Sequence, residues 1–532
     1  MARALLLPPL FTALALAGCT DRLLQGEANY DNNNSSNNNS QGYQGYSDAG
    51  VAAPSGADAS VAGDAGVVPA FNPYVEVKHD PFSTFAADVD SASYDIFAKS
   101  MEEGAGLPQP TTVRSEEFMN YFAYDYPQPD VLAPDPFSIS LDLGPAPVGE
   151  TRILRVGVQG KDLLADRPPA NLVFLVDNSG SMGQADKLPL AQDMLRAALD
   201  VLRPDDRISL VTYAGGVELV LPSTEVRLRA DIVAAIDALS SGGGTAGADG
   251  LELAYEQANA GFIPGGINHI LLCTDGDFNI GPHSTTELVE LVEERRATGV
   301  TFTALGFGRG NLNDSMMEAI SNAGNGIYRV ISGIKTAERY VATKLLSDVV
   351  HIAKDVKLQV EFNPEHVLAY RQAGYENRQL ADSEFRDDVV DAGEIGSGHQ
   401  MTALYEVVLV GGEVPAPDGA PAMLTGDPVE GAREILPGEL VRVKLRYKAP
   451  GALETDPATE MTASLGVDEG LDVLEPESSF AWAVAVFAGR MAHNPFVSAD
   501  HMAAAAPLIM NGAGLDRLGF AQLFMDAQPL LP

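Results

Sequence analysis

The sequence predicts an α/β protein: a doubly wound, mainly parallel sheet inserted in a β-sandwich-like flanking domain, with small N-terminal and C-terminal helical parts. Three observations predict it. Residues 168–350 alternate short, continuous apolar runs with amphipathic segments; strand patterns lie on both sides of that block; and helical patterns sit at either end of the folded part. Continuous apolar strands joined by helices specify a parallel sheet covered on both faces. Such a sheet presents its ligand site at the carboxyl ends of its strands.

Taken in order, the chain opens with Arg3 and the apolar run Ala4 to Ala17, the two regions of a secretory signal, with Pro8 and Pro9 breaking any spanning helix. The run ends in Leu16-Ala17-Gly18-Cys19, which resembles the bacterial lipobox. That resemblance implies a signal peptide over 1–18, acylation of Cys19 and retention at a membrane surface, with Thr20 after the cysteine favouring the outer membrane. Residues 19–70, rich in Asn, Ser and Gly, cannot bury enough apolar area to fold and read as a tether. A coil of ~50 residues reaches about 40 Å.

Ordered sequence begins near Phe71, with helices expected over 93–101 and 112–122 and strands over 137–143 and 152–159, forming an N-terminal part up to 167. In the 168–350 block, strands are expected at 172–176, 208–211, 270–273 and 302–305, and helices at 188–202, 230–239, 251–258 and 286–298. From 351 to 532 the pattern returns to strands at 356–362, 401–410, 439–447 and 461–465, then a buried helix over 480–491 containing Trp482 and Phe487. Strands before and after the block are expected to pair into one sandwich.

Charge and cysteine counts limit the function. The 532 residues carry 73 acidic against 34 basic side chains, a formal net charge of −39. A chain so charged is repelled by phosphate backbones, which excludes nucleic acid as a partner, and by anionic lipid. The two cysteines, Cys19 and Cys273, rule out both a disulfide framework and a four-thiolate zinc site. After the leader there is no apolar stretch of spanning length.

The chemistry concentrates at Asp177-Asn178-Ser179-Gly180-Ser181-Met182, where the first strand of the block ends. A carboxylate followed by hydroxyls two and four residues later supplies hard oxygen ligands, suited to Mg²⁺, Mn²⁺ or Ca²⁺. A capping serine is the plain alternative. Gly242-Gly243-Gly244-Thr245-Ala246 delivers another hydroxyl at a helix entry, and Thr274-Asp275-Gly276 places a second carboxylate at a strand end.

This ordered set resembles the von Willebrand factor type A (VWA) domain, a Rossmann-like fold, and its metal-ion-dependent adhesion site. The resemblance implies Ser179, Ser181 and Thr245 as hydroxyl ligands and Asp177 and Asp275 as charge-balancing carboxylates. It also implies an open coordination position that accepts an acidic side chain from a protein partner. Ligand capture in this fold can shift the last helix, here expected over 336–353. Further motifs, Asp88-Val89-Asp90-Ser91, Met119-Asn120-Tyr121-Phe122, Gly374-Tyr375-Glu376-Asn377-Arg378 and Ala392-Gly393-Glu394-Ile395-Gly396, are similar to bacterial VWA lipoproteins of the YfbK-like group.

Other patterns carry less. Gly306-Phe307-Gly308-Arg309-Gly310-Asn311 lacks the third glycine of a dinucleotide fingerprint, and Asp275 to Thr286 lacks the terminal glutamate of a calcium loop. Asp90 or Ser91 is expected to cap the helix that follows. Ser181 is not in a G-x-S-x-G setting, and no H-E-x-x-H occurs. The reading is therefore a non-enzymatic, divalent-cation-dependent binding module, lipid-anchored in the bacterial cell envelope. Its rivals are a structural scaffold or chaperone adaptor and, last, a metal-assisted hydrolase.

Overall fold

Both sheets of one sandwich draw strands from before and after the α/β block. The structure, a computed structural model, describes residues 71–532 apart from 131, 244–246, 277–284, 297, 309–312, 430–432, 454, 470–471 and 513. The leader, Cys19 and the tether lie outside the described residues.

The N-terminal part holds β1 (Val75–Glu76), β2 (Phe82–Ala86), α1 (Ala92–Glu102), α2 (Ser115–Tyr121), β3 (Phe137–Pro145) and β4 (Arg152–Gly160). The block runs β5 (Ala170–Asp177), α3 (Leu188–Val201), β6 (Arg207–Tyr213), β7 (Val217–Glu225), α4 (Arg229–Ala238), α5 (Gly247–Ala260) and β8 (Ile267–Thr274). It continues through α6 (Thr285–Arg296), β9 (Thr301–Phe307), α7 (Asp314–Ala323), β10 (Tyr328–Ile331), α8 (Ile334–Thr343) and α9 (Leu345–Val349). Then come β11 (His351–Phe362), β12 (Val367–Ala373), β13 (Gly393–Gly396), β14 (Gln400–Leu409), β15 (Glu439–Lys448) and β16 (Thr459–Gly466). The chain closes with α10 (Pro476–Met491), α11 (Ala499–Met510) and α12 (Leu515–Ala527).

The central sheet has the order β10-β9-β8-β5-β6-β7, parallel except for β7. Strand β7 is missing from the sequence-based expectation because Pro222 interrupts it and its side chains are only half-buried, the signature of an edge. The fully buried β5 and β8 read clearly because both faces are covered. Leu172, Phe174 and Val176 pack under α3, α4 and α8, while Val173 and Leu175 pack under α5, α6 and α7.

One sandwich sheet runs β1-β12-β14-β4-β3; the other runs β13-β11-β15-β16, with β2 also paired to β11. Val156 and Tyr405 of the first share one core with Leu358 and Val443 of the second, all fully buried. The N-terminal and C-terminal helical parts are not separate, since α1, α2, α10, α11 and α12 share one aromatic cluster around Tyr94, Phe118, Phe487 and Phe520. No helix among the described residues is long and apolar enough to cross a membrane.

Two local expectations are corrected. The helix expected over 336–353 is broken at Lys344 into α8 and α9, and residues from His351 already belong to β11. Ser91 holds the N-cap position of α1 as expected, but neither its side chain nor that of Asp90 accepts from the helix's first amides. Asp90 accepts a hydrogen bond from the Tyr328 amide (3.2 Å) and Ser91 one from Arg329 (2.9 Å), while Glu117 accepts from the Ser93 amide at 2.6 Å. The remote glutamate thus does the cap's work.

Beside it, Glu116 is buried with its Oε2 lacking a donor among the described residues. Burial first, then the neighbouring carboxylates of Glu376, Asp88 and Glu117, push Glu116 up to about 8. A carboxyl raised on folding stabilises the native state below its unfolded value and loses that contribution as pH climbs towards the folded value. Glu116→Gln is therefore expected to be more stable than the parent at pH 8, by on the order of 1–2 kcal/mol. In urea titrations the gap should close by pH 5; a constant gap would refute the assignment.

Candidate functional site

Register in the central sheet builds the site. Strand β5 pairs in parallel with β6 on one side and β8 on the other, so the chain order reverses between β5 and β8. At such a switch point the carboxyl ends of the two strands leave a crevice. Asp177 ends β5 and Thr274 ends β8, with Asp275 next.

The turn after β5 is folded around its own aspartate. Asp177 Oδ1 accepts from the Ser179 amide at 2.8 Å, and its Oδ2 accepts from the Thr274 hydroxyl at 3.1 Å. Thr274 Oγ1 in turn accepts from the Gly276 amide at 3.2 Å, where a φ of +82° suits glycine. The Ser179 and Ser181 hydroxyls stand 3.0 Å apart. Asp177, Ser179 and Asp275 are buried while Ser181 is exposed, so Ser181 forms the open face over a covered hydroxyl and two covered carboxylates.

The glycine loop crosses this turn. Gly242 donates to the Asn178 carbonyl at 2.8 Å, Gly180 to the Gly243 carbonyl at 3.4 Å, and the Asn178 side-chain Nδ2 to the Ser240 carbonyl at 3.4 Å. Asn178 is thus a strap between two site loops. Thr245 lies outside the described residues. Asp177, Ser179, Ser181 and Asp275 are brought to one pole.

Sequence reasoning missed two groups there. Thr274 positions Asp177. Lys187, just before α3, reaches Asp275 Oδ2 with its Nζ at 2.7 Å and is itself buried. Its side chain lies across Gly308, where a Cβ would sit 2.4 Å from a Lys187 carbon. The sequence carries no spacing signal for this contact. The count of two aspartates neutralising one ion is consequently incomplete: with Lys187 the pole carries −1 before any ion arrives.

Burial pushes the Asp177 carboxyl up, and Asp275 adds to that; the Ser179 and Thr274 hydrogen bonds pull it down. A covered carboxylate beside another is costly unless a cation balances it. Hard oxygens, two carboxylates and a half-open hydroxyl pair fit Mg²⁺, Mn²⁺ or Ca²⁺. Cys273, fully buried in β8, has its thiol held above the ordinary range by burial and is an inert core group.

Residues 171–338 match the family model of the von Willebrand factor type A domain, residues 69–155 one described as von Willebrand factor, and residues 347–528 the C-terminal region of YfbK. The chain is 41% identical over 397 residues to the uncharacterized protein YfbK of Escherichia coli K12, covering 72% of this chain and 67% of that protein. It is 26% identical over 200 residues to human inter-alpha-trypsin inhibitor heavy chain H2, covering 35% of this chain and 21% of the human one. A von Willebrand factor type A structure from Catenulispora acidiphila covers 77% of this chain and 91% of its own, at 17% identity and a TM-score of 0.41.

Proposed function

Because this chain belongs to the YfbK family of proteins carrying a von Willebrand factor type A domain, we propose that it is a divalent-cation-dependent protein-binding module. The observation that carries this is the exposed Ser181 hydroxyl beside Ser179, above buried Asp177 and Asp275. Those four residues, with Thr245 by family resemblance, would hold Mg²⁺, or Mn²⁺ or Ca²⁺ in its place. The ion supplies a positive centre that an acidic side chain of a partner protein completes. In the same reading the module is not an enzyme, and an acylated Cys19 anchors it in the bacterial cell envelope, outer membrane favoured.

Charge supports the partner's chemistry. The two aspartates and Lys187 sum to −1; a bound divalent ion turns the pole to +1, and one incoming carboxylate returns it to neutrality. The test immobilises the chain and passes envelope extract over it with Mg²⁺ and then with chelator. A protein retained with Mg²⁺, released by chelator and not retained by Asp177→Ala supports the module. If Asp177→Ala fails to fold, the metal would be structural and the chain a scaffold or chaperone adaptor.

A further inference from the structure

A second group of carboxylates gathers far from Asp177 in sequence, where the α/β block meets the sandwich. Asp355, Asp391 and Glu394 each offer an oxygen, all within 4.8 Å of one another. Asp355 occupies a bulge of β11: pairing to β15 skips from Lys354↔Lys448 to Lys357↔Arg446, and pairing to β13 skips from Ala353↔Ile395 to Val356↔Gly393. Its φ of +52° is a left-handed conformation that aspartate tolerates at a cost.

The decisive group is Glu394. It is 7% exposed, and its Oε1 has no hydrogen-bond donor among the described residues. Its two neighbours have counter-ions, Lys448 at 3.1 Å from Asp355 and Arg296 on Asp391. Among the described residues Glu394 has no such ion pair, with Arg296 and Lys354 acting on it only from a distance. Burial, and then Asp391 and Asp355, hold its carboxyl well above the usual range. A buried acceptor aimed at two other carboxylates lacks only a cation. Asp391 is exposed and borders a cleft of about 610 Å³ shared with Asp355, Arg296, Asn325 and Lys448, so an ion has a way in.

We propose that Asp355, Asp391 and Glu394 form a second cation site, for Ca²⁺, that pins the bulge of β11 to β13 and the segment before it. Three carboxylates supplied by a bulge, a short strand and the segment before it suit the irregular, oxygen-rich coordination of Ca²⁺ better than the strict octahedron of Mg²⁺. Asp355 comes from the β11 bulge, Glu394 from β13 and Asp391 from the segment just before β13, so the ion would tie these stretches of the sandwich together, with Arg296 of α6 paired to Asp391 at the rim. The motif Ala392 to Gly396, left without a role by the Asp177 site, gains one here.

The experiment separates the two sites. After chelator treatment, Ca²⁺ is titrated calorimetrically into the full chain carrying Asp177→Asn, and melting is followed with and without Ca²⁺. One binding event is expected, with Tm raised by about 4 °C at a hundredfold excess over Kd. Adding Glu394→Gln should weaken binding at least tenfold and remove the Tm shift. Should that variant not fold, Asp391→Asn, at the exposed ligand, carries the same expectation. The proposal is overturned if the Asp177→Asn chain takes up no Ca²⁺, or if the further substitution leaves binding unchanged. A proton as the occupant would show as a raised Tm for Glu394→Gln with no Ca²⁺ heat in its parent, and that too overturns it.

Discussion

Asp177→Asn is expected to weaken Mg²⁺ binding at least a hundredfold with the fold retained, and Lys187→Met to strengthen it about tenfold. The opposite signs follow from one contact. Asp177 and Asp275 attract an ion at this pole, while the Lys187 ammonium, 2.7 Å from Asp275, repels it and occupies one of its oxygens. Unit charges about 4 Å apart interact by ~4 kcal/mol at an effective dielectric of 20, so loss of one carboxylate readily removes two decades of affinity.

Asparagine keeps the Oδ1 acceptor that the Ser179 amide uses. It also relieves a carboxylate that burial already disfavours, so the metal-free Tm should hold or rise. Lys187→Met keeps the chain's packing over Gly308 and deletes only the charge. The same deletion lowers the loaded pole from +1 to neutral, so an acidic partner should bind Lys187→Met more weakly although the ion binds it more tightly. Calorimetry with Mg²⁺ reads the first effect and partner titration the second. Both substitutions moving metal affinity the same way would defeat the argument.

What could be read in advance divides along physical lines. Strands β5 and β8 were legible because burial on both faces leaves an unbroken apolar run. The Asp177–Ser179–Ser181 set was legible because its members are neighbours in the chain. Strand β7 was not, since Pro222 and its half-exposed face erase the pattern. Glu117 at the start of α1 and Lys187 on Asp275 were invisible for a different reason: each partner is supplied by tertiary packing, and no local spacing encodes it. Asp355, Asp391 and Glu394 belong with these, coming together only once β11 bulges beside β13. The expected single helix over 336–353 failed at Lys344, where the backbone (φ −122°) leaves the helical range, and at His351, which tertiary pairing draws into β11.

The ion pair of Arg329 with Asp348 carries the largest stability effect expected here. Arg329 of β10 meets Asp348 of α9 through two contacts, Nε to Oδ2 at 3.1 Å and a second nitrogen to Oδ1 at 2.9 Å. His399 Nε2, from the turn before β14, lies 3.0 Å from the same Oδ1. Arg329 also donates to the Val89 carbonyl and the Ser91 hydroxyl at 3.1 and 2.9 Å. One aspartate therefore fastens the end of the α/β block to the sandwich and, through Arg329, to the segment before α1. All three side chains are almost wholly buried.

Asp348→Ala leaves a guanidinium buried without its counter-charge, which costs about 3–5 kcal/mol. Burial alone would raise the Asp348 carboxyl, but Arg329 and His399 overcome it and hold the group well below the usual carboxylate range. A carboxyl depressed on folding stabilises the native state above its unfolded value and loses that contribution as pH falls towards the folded value. The deficit of Asp348→Ala in urea titrations should thus be full at pH 7 and shrink below about pH 4. Arg329→Leu added to Asp348→Ala should recover more than half of it, because the penalty lies in the orphaned charge and not in the lost contact. A deficit under ~1 kcal/mol at pH 7, or one that the second substitution deepens, would show that the junction is held by its apolar packing alone.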